Sequence, residues 1–319
     1  MIHVLRSRRL ATVLASGLLT VGLTLSASAA APQATARDGL LAISSFATGQ
    51  IYTLAPDGSH FRQITQTPEG SSAAFPNWSP DGRRIAFVSD SSGIQRLYTM
   101  AADGTDQHLV FSDEPGFSNF APRYTPDGRR LVFVRCPPED RGCAIYSVRL
   151  DGTQLTPLTA FAEPGSSDFW PAVASDGRIA FIRFGAGGIS SQVYVMNADG
   201  SHVRAVSPPV LQAIHPNWSP DSRRIAISTN CCRLGGNVWT VSSTGNHADQ
   251  LTETPYPLFS AVPAYSPSGT RIAFMSSRNH PDRCCTDLFV MSADGRRETM
   301  VPTGLTMVDQ LAWGTAPTG

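Results

Sequence analysis

The amino-acid sequence predicts an all-β protein, a six-bladed β-propeller with four antiparallel strands in each blade. Three observations predict this fold: a repeat of nearly constant length, tight turns between short β-rich segments, and complementary half-repeats at the two ends. The repeat is clearest at 75–89, where Trp78 is followed by Ser-Pro-Asp-Gly. The position of Trp78 recurs after steps of 46, 49, 45, 47 and 48 residues, at Tyr124, Val173, Trp218, Tyr265 and Trp313. A period in this range indicates a repeat architecture.

Each repeat divides into four strands because apolar and polar residues alternate between Asp-Gly turns. The first, strand a, ends at the aromatic position and turns through Ser-Pro-Asp-Gly or a variant. Strand b is predicted at 40–44, 85–89, 131–135, 179–183, 225–229 and 272–276. Strand c is predicted at 50–54, 96–100, 144–148, 192–196, 237–241 and 287–291, and short strands d follow, for instance at 63–65, 155–159 and 250–252. Gly and Pro recur too often for long helices.

The two ends of the chain complement each other. The first repeat begins at strand b, directly after Asp38-Gly39, and has no strand a before it. Residues 308–314 resemble a strand a that no strand b follows. If these N- and C-terminal strands pair in one shared blade, six blades close into a ring without an exposed sheet edge. The alternative, an open solenoid, would not need complementary half-repeats.

The first 29 residues are predicted to be a secretory signal peptide. Arg6, Arg8 and Arg9 form its positive start, 11–25 its apolar run, and Ala27-Ser28-Ala29 its cleavage site. An uncleaved membrane anchor is the alternative, although this run is shorter than the roughly 20 residues that a spanning helix needs. The expected organisation is therefore signal peptide 1–29, linker 30–37, propeller 38–314 and C-terminal tail 315–319. We expect an exported protein, periplasmic or extracellular.

The charge of the mature chain gives no reason to expect nucleic acid or an anionic membrane as a partner. All 25 basic residues are Arg, and removing the three in the leader leaves 22 against 25 acidic residues. A chain so close to neutral lacks the basic surface that such partners require. We also expect no integral membrane segment after signal removal, and a monomer.

Six cysteines agree with export, because disulfides form in oxidising compartments. All of them fall in predicted connections between strands b and c, at Cys136, Cys143, Cys231, Cys232, Cys284 and Cys285. The first two flank a short loop and are expected to form a disulfide across it. Adjacent cysteines lie about 3.8 Å apart at Cα, below the usual limit of about 4.4 Å for a disulfide, so bridges between blades 5 and 6 are expected for the others. A zinc site or free thiols are the alternatives, although adjacent pairs lack zinc-motif spacing.

No motif of a known catalytic centre occurs in the sequence. It contains no Gly-x-Ser-x-Gly, His-Glu-x-x-His, phosphate loop or calcium loop, so we expect no catalytic residue, metal or cofactor. Four aspartates recur at one repeat position and are interpreted as turn formers, namely Asp81, Asp127, Asp176 and Asp221. Of the seven histidines, His215 is singled out because it precedes Pro216 at the start of a strand a. A satisfied or solvent-facing imidazole is the alternative.

Candidate binding residues are the strand a positions that differ between repeats. In a propeller the starts of these inner strands converge at the mouth of the central channel. Positions three before and one before the aromatic residue supply six candidates: Phe75, Asn77, Arg123, Trp170, His215 and Asn217. They would hold a peptide or sugar by stacking and hydrogen bonds. In the alternative reading, Phe75 and Trp170 only pack between blades.

The repeat resembles that of the TolB-type, WD-repeat-like β-propellers. The resemblance rests on Pro-Asn-Trp-Ser-Pro-Asp-Gly-Arg-Arg-Ile-Ala-Phe, then Leu-Tyr-Thr-Met-Ala-Ala-Asp-Gly, and extends over 38–314. Blade 4 departs from it at 173–177, blade 5 has Ser222 for Gly, and blade 6 has Ser268 for Asp. TolB also carries an α/β domain before its propeller, for which the linker leaves no room. The resemblance implies a non-catalytic module that binds a protein or peptide in the cell envelope. A carbohydrate-active lyase or hydrolase with a metal at the channel is the alternative.

Overall fold

Six four-stranded antiparallel sheets form the blades of a β-propeller in the computed structural model of the protein. The structure describes residues 36–138, 142–161, 167–185, 190–229, 235–282 and 285–317. The chain divides into Met1–Ala34 and Thr35–Gly319, and the propeller lies in the second unit. The predicted signal peptide lies outside the described residues. Within them, helix is limited to one 3₁₀ turn at Pro209–Leu211, and none is long and apolar enough to cross a bilayer.

The strands follow one another from the inside of each blade to its outer edge. Blade 1 contains β1 (Asp38–Ser45), β2 (Gln50–Leu54) and β3 (Arg62–Gln63). Blade 2 contains β4 (Ala73–Trp78), β5 (Arg84–Ser89), β6 (Arg96–Ala101) and β7 (His108–Leu109). Blade 3 contains β8 (Ser118–Tyr124), β9 (Arg130–Cys136), β10 (Ala144–Arg149) and β11 (Thr156–Pro157).

The same order continues to the end of the chain. Blade 4 contains β12 (Ser167–Val173), β13 (Ile179–Phe184), β14 (Ser191–Met196) and β15 (Arg204–Ala205). Blade 5 contains β16 (Ala213–Trp218), β17 (Arg224–Thr229), β18 (Val238–Ser242) and β19 (Ala248–Gln250). Blade 6 contains β20 (Ser260–Tyr265), β21 (Arg271–Ser276), β22 (Asp287–Ser292) and β23 (Thr299–Val301). The last strand is β24 (Gln310–Thr315).

The ring closes where the last strand joins the first. β24 pairs antiparallel with β1, opposing Trp313 to Leu41 and Ala312 to Ala42, and so becomes the inner strand of blade 1. The predicted six-bladed, closed propeller is therefore confirmed. Strands b and c lie within two residues of their predicted bounds. The outer strands have two or three residues each and begin or end one or two residues away from the predicted bounds. In blade 1 the strand ends before Ile64, which is buried.

The hydrophobic core lies between neighbouring blades. Four phenylalanines occupy the middle of strand b in their blades and are at most 2% exposed: Phe87, Phe133, Phe181 and Phe274. Burial of such a side chain contributes about 1.5–3 kcal/mol. Because every blade buries apolar side chains against both neighbours, the stability of each blade depends on the closed ring.

The repeated aspartates build the turns between strands a and b. The Asp81 carboxylate accepts hydrogen bonds from the Ser79 hydroxyl (2.6 Å) and the backbone N–H of Arg83 (3.1 Å). The Ser79 oxygen in turn accepts from the backbone N–H of Arg84 at 2.9 Å. These bonds, that of Ser79 above all, hold the pKa of Asp81 below its usual value. Asp127 and Asp221 make the same contacts in their own turns.

In blade 6 the Ser268 hydroxyl takes the place of the turn carboxylate, with contacts to the Ser266 hydroxyl (3.0 Å) and the Thr270 backbone N–H (3.4 Å). A carboxylate near the start of the chain adds further bonds to this turn. Its turn has Ser268 in place of Asp, and the Asp38 carboxylate accepts from the Ser268 backbone N–H (2.9 Å) and from Arg271 Nη2 (2.8 Å). Burial alone would raise the pKa of Asp38, but the hydrogen bonds from Arg271 and Ser268 outweigh it and lower this pKa. The Arg271 guanidinium also lies 4.8 Å from the centre of the Trp313 ring. Asp38 therefore fastens blade 6 to blade 1.

Replacing Asp38 by Asn should weaken ring closure. The variant keeps an acceptor for Ser268 but loses the charged bond to Arg271, and hydrogen bonds to charged groups contribute about 1.5–3 kcal/mol. We expect the free energy of unfolding at pH 7, measured by urea denaturation, to fall by about 1–3 kcal/mol. Because the pKa of Asp38 is lowered in the folded state, the difference from wild type should persist above about pH 4 and shrink as the pH falls further.

The matched control is Asp57→Asn. Asp57 is an exposed turn carboxylate whose hydrogen bonds go only to Ser59 in its own turn. Its replacement should change the unfolding midpoint less than Asp38→Asn does. Equal effects of the two substitutions would contradict a closing role for Asp38.

Candidate binding site in the central channel

Five of the six inner strands contain the same β-bulge. The register with strand b shifts between Ala74 and Asn77 in blade 2, and at the equivalent places in blades 3 to 6. The residue at each bulge has a left-handed backbone, with φ of 47° to 54°, and precedes a proline: Phe75, Ala121, Trp170, His215 and Val262. Left-handed conformations are uncommon for residues other than glycine. A bulge changes the direction in which a side chain points. The bulges therefore determine the direction of three predicted site residues, Phe75, Trp170 and His215.

The bulge residues Phe75, Trp170 and His215 have other side chains as their neighbours. The Phe75 ring lies 6.0 Å from that of Phe120, and both pack against the core between blades. The Trp170 ring lies 4.6 Å from the imidazole of His215 and also contacts Phe184. His215 Nδ1 lies 3.5 Å from the Ser228 hydroxyl. These contacts correspond to the packing alternative for Phe75 and Trp170.

The other three predicted residues, Asn77, Arg123 and Asn217, line one cavity of about 430 Å³. It lies beside the turns between strands a and b, since Pro80, Pro126 and Ser175 belong to those turns and also line it. Its lining comes from blades 1 to 5, with Thr315 from blade 1. The cavity therefore opens at the turn end of the inner strands, opposite to the starts at which the sequence placed the channel mouth. We call this space the channel cavity.

The side-chain amides of Asn77 and Asn217 link neighbouring blades through their oxygen atoms alone. Asn77 Oδ1 accepts the backbone N–H of Tyr124 at 2.9 Å, and Asn217 Oδ1 accepts that of Tyr265 at 2.8 Å. These bonds fix which side of each amide is oxygen, because a backbone N–H needs an acceptor. In the described part of the chain neither Nδ2 group has a protein hydrogen-bond partner. Both are free to donate to a ligand.

Arg123 is a cation inside the ring without a counter-ion. Its Nη1 donates to the carbonyl of Pro122 at 2.8 Å, and among the described residues it makes no ion pair. Part of its surface is accessible, from the cavity that it lines. Burial lowers the pKa of Arg123 to about 10, and no carboxylate acts to raise it. Arg123 remains charged at neutral pH, and among the described residues no carboxylate neutralises it.

His215 is neutral at physiological pH. Burial, and to a lesser extent the positive charge of Arg123, lower its pKa to about 3. The charge of Arg123 therefore acts on His215 although the two residues belong to blades 3 and 5. The environment of His215 does not fit a divalent metal ion, because the charged group that acts on it is another cation. Across the described residues, no group of three or more potential metal ligands is gathered.

The described cysteines, Cys136, Cys143 and Cys285, lie at the connections between strands b and c, on the face opposite the channel cavity. A disulfide joins Cys136 and Cys143, whose Cα atoms are 4.4 Å apart. Cys285 carries a free thiol. Cys231, Cys232 and Cys284 lie outside the described residues, so the expected bridges between blades 5 and 6 stay a prediction.

Sequence reasoning missed the turn residues of the channel cavity, Pro80, Pro126 and Ser175. They belong to the repeat and were therefore interpreted as structural. The sequence could have indicated these turn residues. The position one before the aromatic residue and the turn after the aromatic residue lie at the same end of strand a.

A closed ring of six four-stranded antiparallel blades defines a six-bladed β-propeller. Residues 105–317, about two thirds of the chain, match the family model for the TolB beta propeller domain. The chain belongs to this family. No curated protein matches it significantly.

Solved structures support the same fold at low sequence identity. TolB from Acinetobacter baumannii is 21% identical with a TM-score of 0.68, over 86% of this chain and 66% of that one. A putative TolB from Agrobacterium tumefaciens is 21% identical with a TM-score of 0.64, over 84% of this chain and 89% of that one. An oligogalacturonate lyase in complex with manganese is 12% identical with a TM-score of 0.54, over 83% and 72%. The protein spans just under two thirds of the Acinetobacter chain.

His215 should make the protein sensitive to acid. The unfolded chain protonates this imidazole below about pH 6.5, whereas the folded protein does not until about pH 3. The free energy of unfolding should therefore fall as the pH is lowered from about 6.5 toward 3. His215→Gln removes the titrating imidazole. Between pH 7 and pH 4 the free energy of unfolding of the variant, measured by urea denaturation, should therefore fall less than that of wild type. The exposed His202→Gln is the control and should follow wild type. Parallel curves for His215→Gln and wild type would contradict the buried, neutral imidazole.

Proposed function

We propose that the protein is an exported, non-catalytic propeller that binds a protein or peptide partner in the cell envelope through the channel cavity. The observation that carries this proposal is the set of donors that line that cavity, the guanidinium of Arg123, which has no ion pair among the described residues, and the amide Nδ2 groups of Asn77 and Asn217. Partly exposed donors that converge on one concave space are available to complete the hydrogen bonds of a ligand.

Membership of the TolB propeller family supports a partner-binding role, since the resemblance implies a module that binds proteins. Export is supported by the predicted leader and by the disulfide between Cys136 and Cys143. We propose a periplasmic or extracellular monomer that uses no cofactor.

The competing function is a carbohydrate-active lyase or hydrolase with a metal at the channel. The fold similarity to an oligogalacturonate lyase in complex with manganese favours it. This enzyme would need metal ligands that gather around His215, whereas the charge that acts on this imidazole is the positive one of Arg123. Metal analysis of the purified protein separates the two functions: a stoichiometric metal that His215→Ala abolishes would favour the enzyme.

Removing the cation from the channel cavity should abolish partner capture without unfolding the protein. Arg123→Ala leaves no carboxylate unpaired, because Arg123 has no ion pair among the described residues. We therefore expect its melting temperature to equal or exceed that of wild type, while capture from an envelope extract, quantified by mass spectrometry, falls by about tenfold or more.

Two control variants sharpen this experiment. Arg129→Ala removes an exposed arginine from the turn of the same blade and should leave capture unchanged. Trp170→Ala removes packing around His215 and should lower stability more than Arg123→Ala does. If Arg123→Ala captures the same partner as wild type, the channel cavity is not the binding surface.

A further inference from the structure

We propose that the channel cavity recognises a carboxylate of an acidic peptide segment, and that Arg123 is the residue that pairs with it. This inference rests on the proposed function and deepens it, because it names the chemical group that the partner presents. It is carried by the composition of the cavity and by the position of its charges.

The channel cavity has a positive charge and no negative one. Among the described residues that line it none is Asp or Glu, and Arg123 is the one charged side chain in that set. The acidic groups of the nearby turns are engaged elsewhere, as Asp81 is with Ser79 and Arg83. A cationic ligand would be repelled here, and a neutral one would leave the guanidinium without a counter-charge. An anion supplies the missing charge.

The donors suit a planar carboxylate. A guanidinium binds a carboxylate through two parallel N–H···O bonds, and one Nη of Arg123 is already held by the Pro122 carbonyl, which fixes the side chain. The Nδ2 groups of Asn77 and Asn217 line the same cavity from blades 2 and 5. They can donate to the oxygen positions that the guanidinium leaves open.

The walls favour a peptide over an acidic sugar. Sugars bind in many sites by stacking on an open aromatic face, but the three aromatic residues that line the cavity are buried: Trp78, Tyr124 and Trp218 are 8%, 6% and 6% exposed. The exposed parts of the lining include Pro80 and Pro126. Their rings offer apolar contact to the side chains that flank an acidic residue.

The test is a peptide selection on the purified protein. Random heptapeptides on beads are synthesised in two pools, one with a free C-terminal carboxylate and one with an amide, and are selected with wild type and with Arg123→Gln. The best wild-type binder is then resynthesised with each carboxylate neutralised, by Asp→Asn, Glu→Gln or amidation. Affinities are measured by calorimetry, with Arg129→Gln as the matched control protein.

We expect one carboxylate of the selected peptide to contribute most of the affinity that depends on Arg123. Its neutralisation should weaken binding to wild type by about tenfold or more and should cause little further loss in Arg123→Gln, as a double-mutant cycle requires for two groups in contact. Arg129→Gln should behave as wild type.

Three other results would count against the proposal in different ways. If selected peptides bind equally well after all carboxylates are neutralised, the carboxylate inference fails and the peptide-binding function stands. If the carboxylate dependence persists in Arg123→Gln, the assignment to Arg123 is wrong. If no peptide is enriched while digalacturonate binds wild type and not Arg123→Gln, both the peptide ligand and the proposed function are overturned in favour of a sugar acid.

Discussion

Pairing between β24 and β1 is the interaction on which the rest of the structure depends. Each blade buries apolar residues against both neighbours, so a ring that opened at one place would expose two such faces and one sheet edge. Two side-chain contacts made by β1 add to the backbone hydrogen bonds between β1 and β24. Asp38 bonds to the turn of blade 6, and Ser44 donates to Asp309 at 2.9 Å. Burial raises the pKa of Asp309. Polar contacts between the two ends of the chain thus hold an apolar core together.

The repeat made most of the fold predictable, because alternation and turn residues act over a few positions. The contact of Asp38 with Ser268 was not predictable, since the two residues are 230 positions apart. Ser268 appeared only as a departure from the pattern. Within that turn the Ser268 hydroxyl makes the contacts of the missing carboxylate. Asp38 adds bonds from the neighbouring blade to the Ser268 backbone N–H and to Arg271.

A proline pattern in the sequence indicates the bulges of the inner strands. Proline stands two residues before the aromatic position in five blades, and a proline in the middle of a ladder indicates a bulge. Blade 1 has Leu311 there, and its inner strand pairs through this position without a shift. The bulge turns position 75 and its equivalents toward neighbouring side chains, whereas position 77 and its equivalents face the channel. Strand periodicity alone assigns both positions to one face. Only with the bulge taken into account does the sequence separate the packed residues from those that face the channel.

The fold does not require an arginine at the position of Arg123. Three blades have alanine there, Ala172, Ala264 and Ala312, so a blade folds without a polar side chain at this place. Asparagine in blades 2 and 5 serves the fold through its oxygen, which accepts a backbone N–H of the next blade. Arginine has no acceptor and cannot make that link. It brings instead a positive charge that no described carboxylate neutralises. Under the proposed function, a carboxylate of the partner supplies that counter-charge, which gives a reason for arginine where three other blades have alanine.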